Sequence, residues 1–238
     1  MSGTGTNVRT GLVLVVDDDD TVRDVVRRYL EVAGFSVAVA ADGAEGLRQF
    51  TARAPDLVVL DVMMPGLDGL EVCRRLRQVS AVPVVLLTAL GEEENRIAGL
   101  QLGADDYVTK PFSPRELTLR VVSVLRRARM PYPVGVAPEL RDGDLVLYMN
   151  ARQASLGGAE LPLTAREFDL LAHFLSHPGT AFSRQDLLEQ VWGWDFGDQS
   201  TVTVHVRRLR EKIEPLPAKP VRVTTVWGVG YRYDAGAS

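Results

Sequence analysis

The sequence predicts two domains: an α/β domain wound about a parallel sheet, then a smaller α+β domain of three helices closed by a hairpin. Three observations carry this. At 238 residues the chain is about the size of two compact domains. Its first half alternates apolar runs of strand length with helical patterns, as a sheet covered on both faces requires. A stretch from Met130 to Pro138 with three prolines and a glycine then separates this pattern from a different one.

Residues 1–11 are expected to form a disordered tail. Leu12–Val16, Phe35–Val39, Leu57–Leu60 and Val84–Leu87 are rich in β-branched residues and read as strands, with Tyr107-Val108 as a short fifth. Between the first two, Val22, Val25, Val26, Tyr29, Leu30 and Ala33 recur at the period of an amphipathic helix. The last helix of this unit, Pro114 to Arg127, ends in basic residues that suit a helix C-terminus. The α/β domain is thus placed at 12–128, with a semi-extended linker at 129–138.

In the remaining 139–238, short strands are expected around Leu145–Met149 and Gln153–Leu156, followed by a Gly157-Gly158 turn. Thr164-x-x-Glu167 is a capping box that opens a helix, and His177-Pro178-Gly179 stops it. Ser183-x-x-Asp186 opens a second helix carrying Leu187, Leu188, Val191 and Trp192. A third runs from Ser200 to Ile213. Val221–Val226, a Gly228-Val229-Gly230 turn and Tyr231–Tyr233 read as a hairpin.

Composition bounds the function classes. Hydrophobic residues at 46% and charged residues at 24% are ordinary for a soluble globular chain. No apolar run approaches the ~20 residues needed to span a bilayer, so no membrane partner is expected. The first nine residues carry no apolar signal core, and Cys73 has no partner for an internal disulfide; a cytoplasmic location is expected. The net charge of −4 argues against a uniformly basic nucleic-acid binder. One local patch remains: Arg207, Arg208, Arg210 and Lys212 crowd a short stretch with only Glu211 opposing them.

In open α/β sheets function gathers at the carboxyl ends of the strands. Asp17 and Asp18 follow the first run, Asp61 ends the third, Thr88 follows the fourth and Lys110 the fifth. With the flavodoxin-like strand order 2-1-3-4-5, three carboxylates converge on one crevice. Like charges that close repel, and a hard divalent cation resolves the conflict. A few oxygen ligands on an open site suit Mg²⁺, with the Met63 carbonyl placed to join them. Asp61 then becomes a nucleophile toward a phosphoryl group, with Lys110 neutralising the transferring oxygens and Thr88 donating to the product. Taken singly these residues have plainer readings. Asp19 and Asp20 suit an N-cap and an acidic first turn, and an isolated Asp or Lys at a strand end is usually a turn residue or a solvated charge.

The joined motifs Val15-Val16-Asp17-Asp18, Leu60-Asp61-Val-Met-Met-Pro65-Gly-Leu-Asp-Gly69, Leu87-Thr88-Ala89 and Gly103-Ala-Asp-Asp-Tyr107-Val-Thr-Lys110-Pro111-Phe112 resemble the receiver domain of bacterial two-component response regulators. The second half resembles the winged-helix effector of the OmpR/PhoB subfamily. Leu161-Pro-Leu-Thr-Ala-Arg-Glu167-Phe, Val202-Thr-Val-His205-Val-Arg-Arg-Leu-Arg210-Glu-Lys and Gly228-Val-Gly-Tyr231-Arg carry that likeness. The resemblance implies a flavodoxin-like receiver joined to a winged helix-turn-helix. It makes Asp61 the phosphoacceptor, Asp17, Asp18 and Asp61 the Mg²⁺ ligands, and Thr88 with Tyr107 the switch pair. It also implies a cis Lys110-Pro111 bond and a sensor histidine kinase as phosphoryl source. RNA polymerase is an expected partner, as is a homodimer formed on phosphorylation. By the same resemblance, Arg96 with Glu116 and Asp106 with Arg127 match pairs across a two-fold interface, with Asp105 and Arg120 beside them.

On the third effector helix, Val202, Val206, Leu209 and Ile213 form one stripe, and Thr201, Val204, His205, Arg208 and Lys212 another. One is expected to anchor the helix and the other to enter a major groove, where Arg meets guanine edges and Thr and Val meet thymine methyls. Arg207 and Arg210 flank it as backbone contacts. In the hairpin, Trp227 stands where many family members carry Arg, and Arg222 and Arg232 are candidate phosphate contacts. The chain is therefore expected to be a phosphorylation-dependent transcriptional regulator, not a multiple-turnover enzyme. One alternative is a Mg²⁺-dependent phosphotransferase or phosphatase using Asp61; against it, the second acid that haloacid-dehalogenase-type enzymes need is replaced by Met63. Another is an interaction module without DNA.

Overall fold

The computed structural model describes residues 10–89, 93–129, 139–194 and 198–236. Strands β1 (Thr10–Val16), β2 (Phe35–Ala40), β3 (Leu57–Asp61), β4 (Val84–Ala89) and β5 (Asp106–Lys110) form one sheet in the order β2-β1-β3-β4-β5. Every neighbouring pair is parallel. Helices α1 (Asp20–Val32), α2 (Gly43–Arg53), α3 (Gly69–Val79), α4 (Glu93–Leu102) and α5 (Pro114–Arg129) alternate with the strands. The sheet separates two apolar layers: Val13, Val15, Val26, Leu30, Val59, Leu87 and Val121 on one face, and Leu14, Val58, Leu60, Val72, Leu76 and Leu86 on the other. This is why the strand sequences show runs instead of alternation.

The capping reading of the acidic run holds for Asp19, whose carboxylate accepts from the Thr21 and Val22 amides at 2.7 and 3.3 Å. Two boundaries need correction. The first strand starts at Thr10, inside the expected tail, because Thr10 pairs with Phe35. The fifth strand extends on both sides of Tyr107-Val108, since β4 offers partners from Val85 to Ala89. The rest of the tail, 1–9, and linker residues 130–138 lie outside the described residues.

The C-terminal domain opens with an antiparallel sheet of β6 (Glu139–Asp142), β7 (Leu145–Tyr148), β8 (Gln153–Leu156) and β9 (Ala159–Glu160). Both glycines between β8 and β9 have positive φ, as a tight hairpin needs. Helix α6 (Ala165–Ser176) starts at the Thr164/Glu167 capping box. Helix α7 (Arg184–Leu187) starts at a second box, Ser183/Asp186, and continues through a π-helical turn over Leu188–Trp192. Helix α8 runs Ser200–Ile213. Strands β10 (Ala181–Ser183), β11 (Val223–Val226) and β12 (Gly230–Tyr233) form the terminal sheet; its hairpin starts at Val223, later than the expected Val221. Phe168, Leu171, Phe174, Leu188, Trp192, Val202, Val206, Leu209 and Tyr233 share one core.

Candidate functional site

The strand order brings the acids together. Asp17, Asp18 and Asp61 offer carboxylate oxygens within 4.8 Å of one another, with Asp17 and Asp61 buried and Asp18 exposed. The Lys110 ammonium lies 2.8 Å from Asp17 Oδ2 and 3.1 Å from Asp61 Oδ1. Burial pushes the Asp61 carboxyl up to about 6, the Asp17 charge adds to this, and Lys110 opposes it. One ammonium thus serves two buried carboxylates, and the donor set of hard oxygens on a partly open rim fits a divalent cation of the Mg²⁺ kind. The Met63 amide donates to Asp61, while its side chain points to solvent.

The loop behind Asp61 is held tight. A Cβ at Gly69 would lie 2.0 Å from the Asp61 carbonyl oxygen, so this close approach of backbone to backbone requires glycine. Lys110-Pro111 is cis. Thr88 is buried near the carboxyl end of β4, paired with Thr109 of β5. Tyr107 on β5 points away from the acids: its hydroxyl donates to Asp198 Oδ2 at 3.0 Å, in the C-terminal domain.

The second candidate site is α8, where the structure corrects the expectation of an open face. Thr201, Val204, His205 and Arg208 are all buried. Val204 packs into the N-terminal domain's core with Ile97 and Leu100 nearby. Arg208 donates to the carbonyls of Leu100 and Ala104 at 3.0 and 3.1 Å and pairs with Glu167 at 2.7 Å. His205 turns inward, edge-on to Trp192 at 5.1 Å, with its Nδ1 donating to the Thr201 carbonyl; burial, then the Arg208 charge, holds its imidazole down at about 3 and therefore neutral. Thr203, Arg207 and Glu211 form the exposed strip of the helix.

Several expected phosphate contacts have work inside the domain. Arg222 is buried and donates to Asp144 at 2.6 Å, which corrects its reading as a free phosphate ligand. Arg210 ties α8 to the hairpin through the Val223 carbonyl and Thr225. Lys212 is held by Glu167 and the Pro162 carbonyl. Arg232 pairs with Asp234. Arg207 and Trp227 stand in solvent, Trp227 with 91% of its surface exposed at the hairpin tip. Thr203, which the sequence reading passed over, joins them on the open side, where it contacts Arg184 and Tyr231.

The residues expected across a dimer interface are engaged within the chain. Arg96 pairs with Asp198 at 2.7 Å, and Glu116 and Asp106 both pair with Arg120. Asp105 accepts from Arg77, the Val84 amide and the Arg166 amide. The Arg120 guanidinium lies 4.2 Å over the Trp194 ring. The Arg127 side chain lies outside the described residues. One signal of Asp198's role was present in the sequence: an acid just before Ser200, at the start of a helix.

An acid hollow at the strand ends of a doubly wound sheet, joined to a winged helix-turn-helix, defines the class, and similarity to known proteins gives the family. Residues 13–122 match the response regulator receiver domain, and residues 158–233 match the C-terminal domain of transcriptional regulatory proteins. The chain is 41% identical over 231 residues to the transcriptional regulatory protein ResD of Bacillus subtilis, covering 94% of this chain and 96% of that protein. It is 42% identical over 230 residues to the alkaline phosphatase synthesis transcriptional regulatory protein PhoP of the same organism, covering 93% and 96%. Among solved structures it resembles the OmpR/PhoB homologue DrrB of Thermotoga maritima, with 33% identity, a TM-score of 0.51 and coverage of 95% and 100%. A mutant of RitR shares the fold at a TM-score of 0.75 and 21% identity, over 94% of this chain and 99% of that one. The chain belongs to the OmpR/PhoB family of two-component response regulators, and is a phosphorylation-dependent DNA-binding transcriptional regulator. No helix among the described residues is long and apolar enough to cross a membrane.

Proposed function

We propose that Asp61 is the phosphoacceptor and that phosphorylation there, supplied by a sensor histidine kinase, controls promoter binding by α8 and the hairpin. The observation that carries this is the shared hollow of Asp17, Asp18 and Asp61 with Lys110 between two of them. The attacking Asp61 oxygen forms the new O–P bond as the donor's N–P bond breaks, and the leaving imidazole keeps the electron pair and takes a proton. Lys110 Nζ offsets negative charge on the transferring oxygens, and the Thr88 hydroxyl donates to the product. Asp17, Asp18, Asp61 and the Met63 carbonyl would hold Mg²⁺, which supplies charge neutralisation to the phosphoryl group.

An apolar hollow of about 480 Å³ lined by Val22, Val25, Phe112 and Pro114 adjoins Lys110 and supports docking of the kinase there. Thr201, Val204, His205 and Arg208 would read bases once uncovered, with Arg207, Arg210, Lys212, Arg222, Trp227 and Arg232 around them. Arg96, Asp105, Asp106, Glu116, Arg120 and Arg127 would serve a dimer. The chain acts in the cytoplasm on promoter DNA and RNA polymerase, and turns over only its own phosphoryl group. Footprinting on genomic fragments with and without a small phosphodonor tests this: wild type should protect discrete sites only with donor and Mg²⁺, and Asp61→Asn should show no donor response.

A further inference from the structure

We propose that Arg23 is a positioning residue for the metal: it holds the peptide from which Asp18 hangs, so that this exposed carboxylate stays at the mouth of the hollow. The inference rests on the reading above that Asp17, Asp18 and Asp61 hold Mg²⁺. Asp17 is fixed at every polar atom. Its amide donates to the Ala40 carbonyl at 3.3 Å, the Asp19 amide donates to its Oδ1 at 2.9 Å, and Lys110 holds its Oδ2 at 2.8 Å. Its carbonyl oxygen accepts from Arg23 Nη1. Asp18 is held differently. It is exposed, and its carboxylate has no hydrogen bond or ion pair among the described residues. What places it is the plane of the Asp17-Asp18 peptide, and the oxygen of that plane is the one Arg23 binds.

The location of Arg23 points the same way. It is the fourth residue of α1, one turn past the N-cap Asp19, where a cation works against the helix dipole. It nonetheless turns back over the start of its own helix toward the acids, with 12% of its side chain exposed. Its second partner, Asp20, is 89% exposed, so that ion pair is screened and contributes little. The contact that matters is the charged donor on the Asp17 carbonyl. A group that binds no metal itself but fixes a ligand's backbone is an outer-shell partner, and losing such a partner weakens metal binding about 10–100-fold.

Charge and position predict opposite signs. Arg23 is a cation beside an acid hollow, and if charge were its whole effect, its loss would let a divalent cation bind more tightly. That is the effect expected of Lys110, whose ammonium already sits between Asp17 and Asp61. If Arg23 fixes Asp18, its loss frees that carboxylate to turn into solvent, and the cation binds more weakly. Two positive groups at one hollow thus have opposite tasks: Lys110 competes with the metal, and Arg23 prepares its seat.

The test uses the full chain with Mn²⁺ as the probe, free Mn²⁺ being read by electron paramagnetic resonance. Arg23→Ala should raise the Mn²⁺ dissociation constant on the order of tenfold. Arg23→Lys, which keeps a charged donor, should recover part of the loss. Phosphorylation by acetyl phosphate, followed by intact mass, should need correspondingly more Mg²⁺ in Arg23→Ala, yet reach the wild-type rate once Mg²⁺ saturates. Tighter or unchanged Mn²⁺ binding in Arg23→Ala would overturn the positioning role. So would a loss that Arg23→Lys leaves unrepaired and that comes with a lower urea midpoint of the metal-free chain, since that marks a loosened fold. A wild type that takes up no Mn²⁺ would overturn the metal reading of the hollow, and this role with it.

Discussion

Glu167 lies under Arg208, its carboxylate 2.7 Å from the guanidinium, and the same glutamate closes the capping box as the third residue of α6. It also binds Lys212 at 2.7 Å, so two cations of α8 are seated on one buried acid. Removing Arg208 leaves Lys212 as the one cation paired with Glu167 and takes a donor from the Leu100 and Ala104 carbonyls. Arg208→Ala is expected to cost about 2–3 kcal/mol of full-chain stability, read by urea unfolding. An unchanged midpoint would show that the guanidinium is not seated as described.

Gly69 closes the loop behind Asp61, and any side chain there meets the Asp61 carbonyl. Gly69→Ala should shift the Asp61 backbone, slowing phosphorylation from a small donor and lowering the melting temperature. Wild-type kinetics in this variant would mean that the loop has room the geometry denies.

Lys110 lies between the buried Asp17 and Asp61 carboxylates. In Lys110→Ala the two buried carboxylates lose their shared ammonium, so Mg²⁺ should bind more tightly while phosphorylation slows. Calorimetry and a phosphoprotein gel read the two effects separately; weaker Mg²⁺ binding would contradict this arrangement. Since burial and Asp17 raise the Asp61 carboxyl to about 6, Mg²⁺ affinity should also fall as pH drops through 6.

His205 is buried and neutral, held down at about 3 against an ordinary value of 6.5. The unfolded chain therefore binds more protons than the folded one between these values, and this residue's stabilising contribution is present above 6.5 and lost as pH falls toward 3. Replacing it with phenylalanine keeps a ring against Trp192 and removes the titration. The difference in stability between wild type and His205→Phe should narrow at neutral pH and widen in favour of the variant on acidification; parallel curves would place His205 in solvent.

Trp192 and Trp194 are buried, whereas Trp227 stands free at the hairpin tip. Iodide should quench Trp227 alone, and bound duplex should protect it. Trp227→Ala should leave stability within about 0.5 kcal/mol and weaken duplex binding several-fold. Unaltered quenching in a saturated DNA complex would exclude the hairpin tip from the interface.

Much of this architecture was legible from local signals. Buried parallel strands announce themselves as apolar runs, both capping boxes were read residue by residue, and α8 begins and ends at Ser200 and Ile213 as its period predicts. The acid hollow followed because four strand ends carried unusual polar residues in an order the sheet could bring together. Strand β6 was missed because its four residues, three half-exposed and one exposed, two of them acids and one an arginine, carry no apolar alternation. The fate of Arg222 was unreadable because Asp144 lies 78 positions away. Helical period shows which residues share a face, but not what covers it: Arg208 looked like part of a free polar stripe because carbonyls of another domain satisfy it as well as DNA would.

The most direct measurement is intact-mass spectrometry of the full chain after incubation with a small phosphodonor and Mg²⁺, followed by peptide mapping. One phosphoryl group on Asp61, absent without Mg²⁺ and absent in Asp61→Asn, is the expected result. Modification elsewhere, or equal labelling of Asp61→Asn, would contradict the assignment of this hollow as the site where the signal enters.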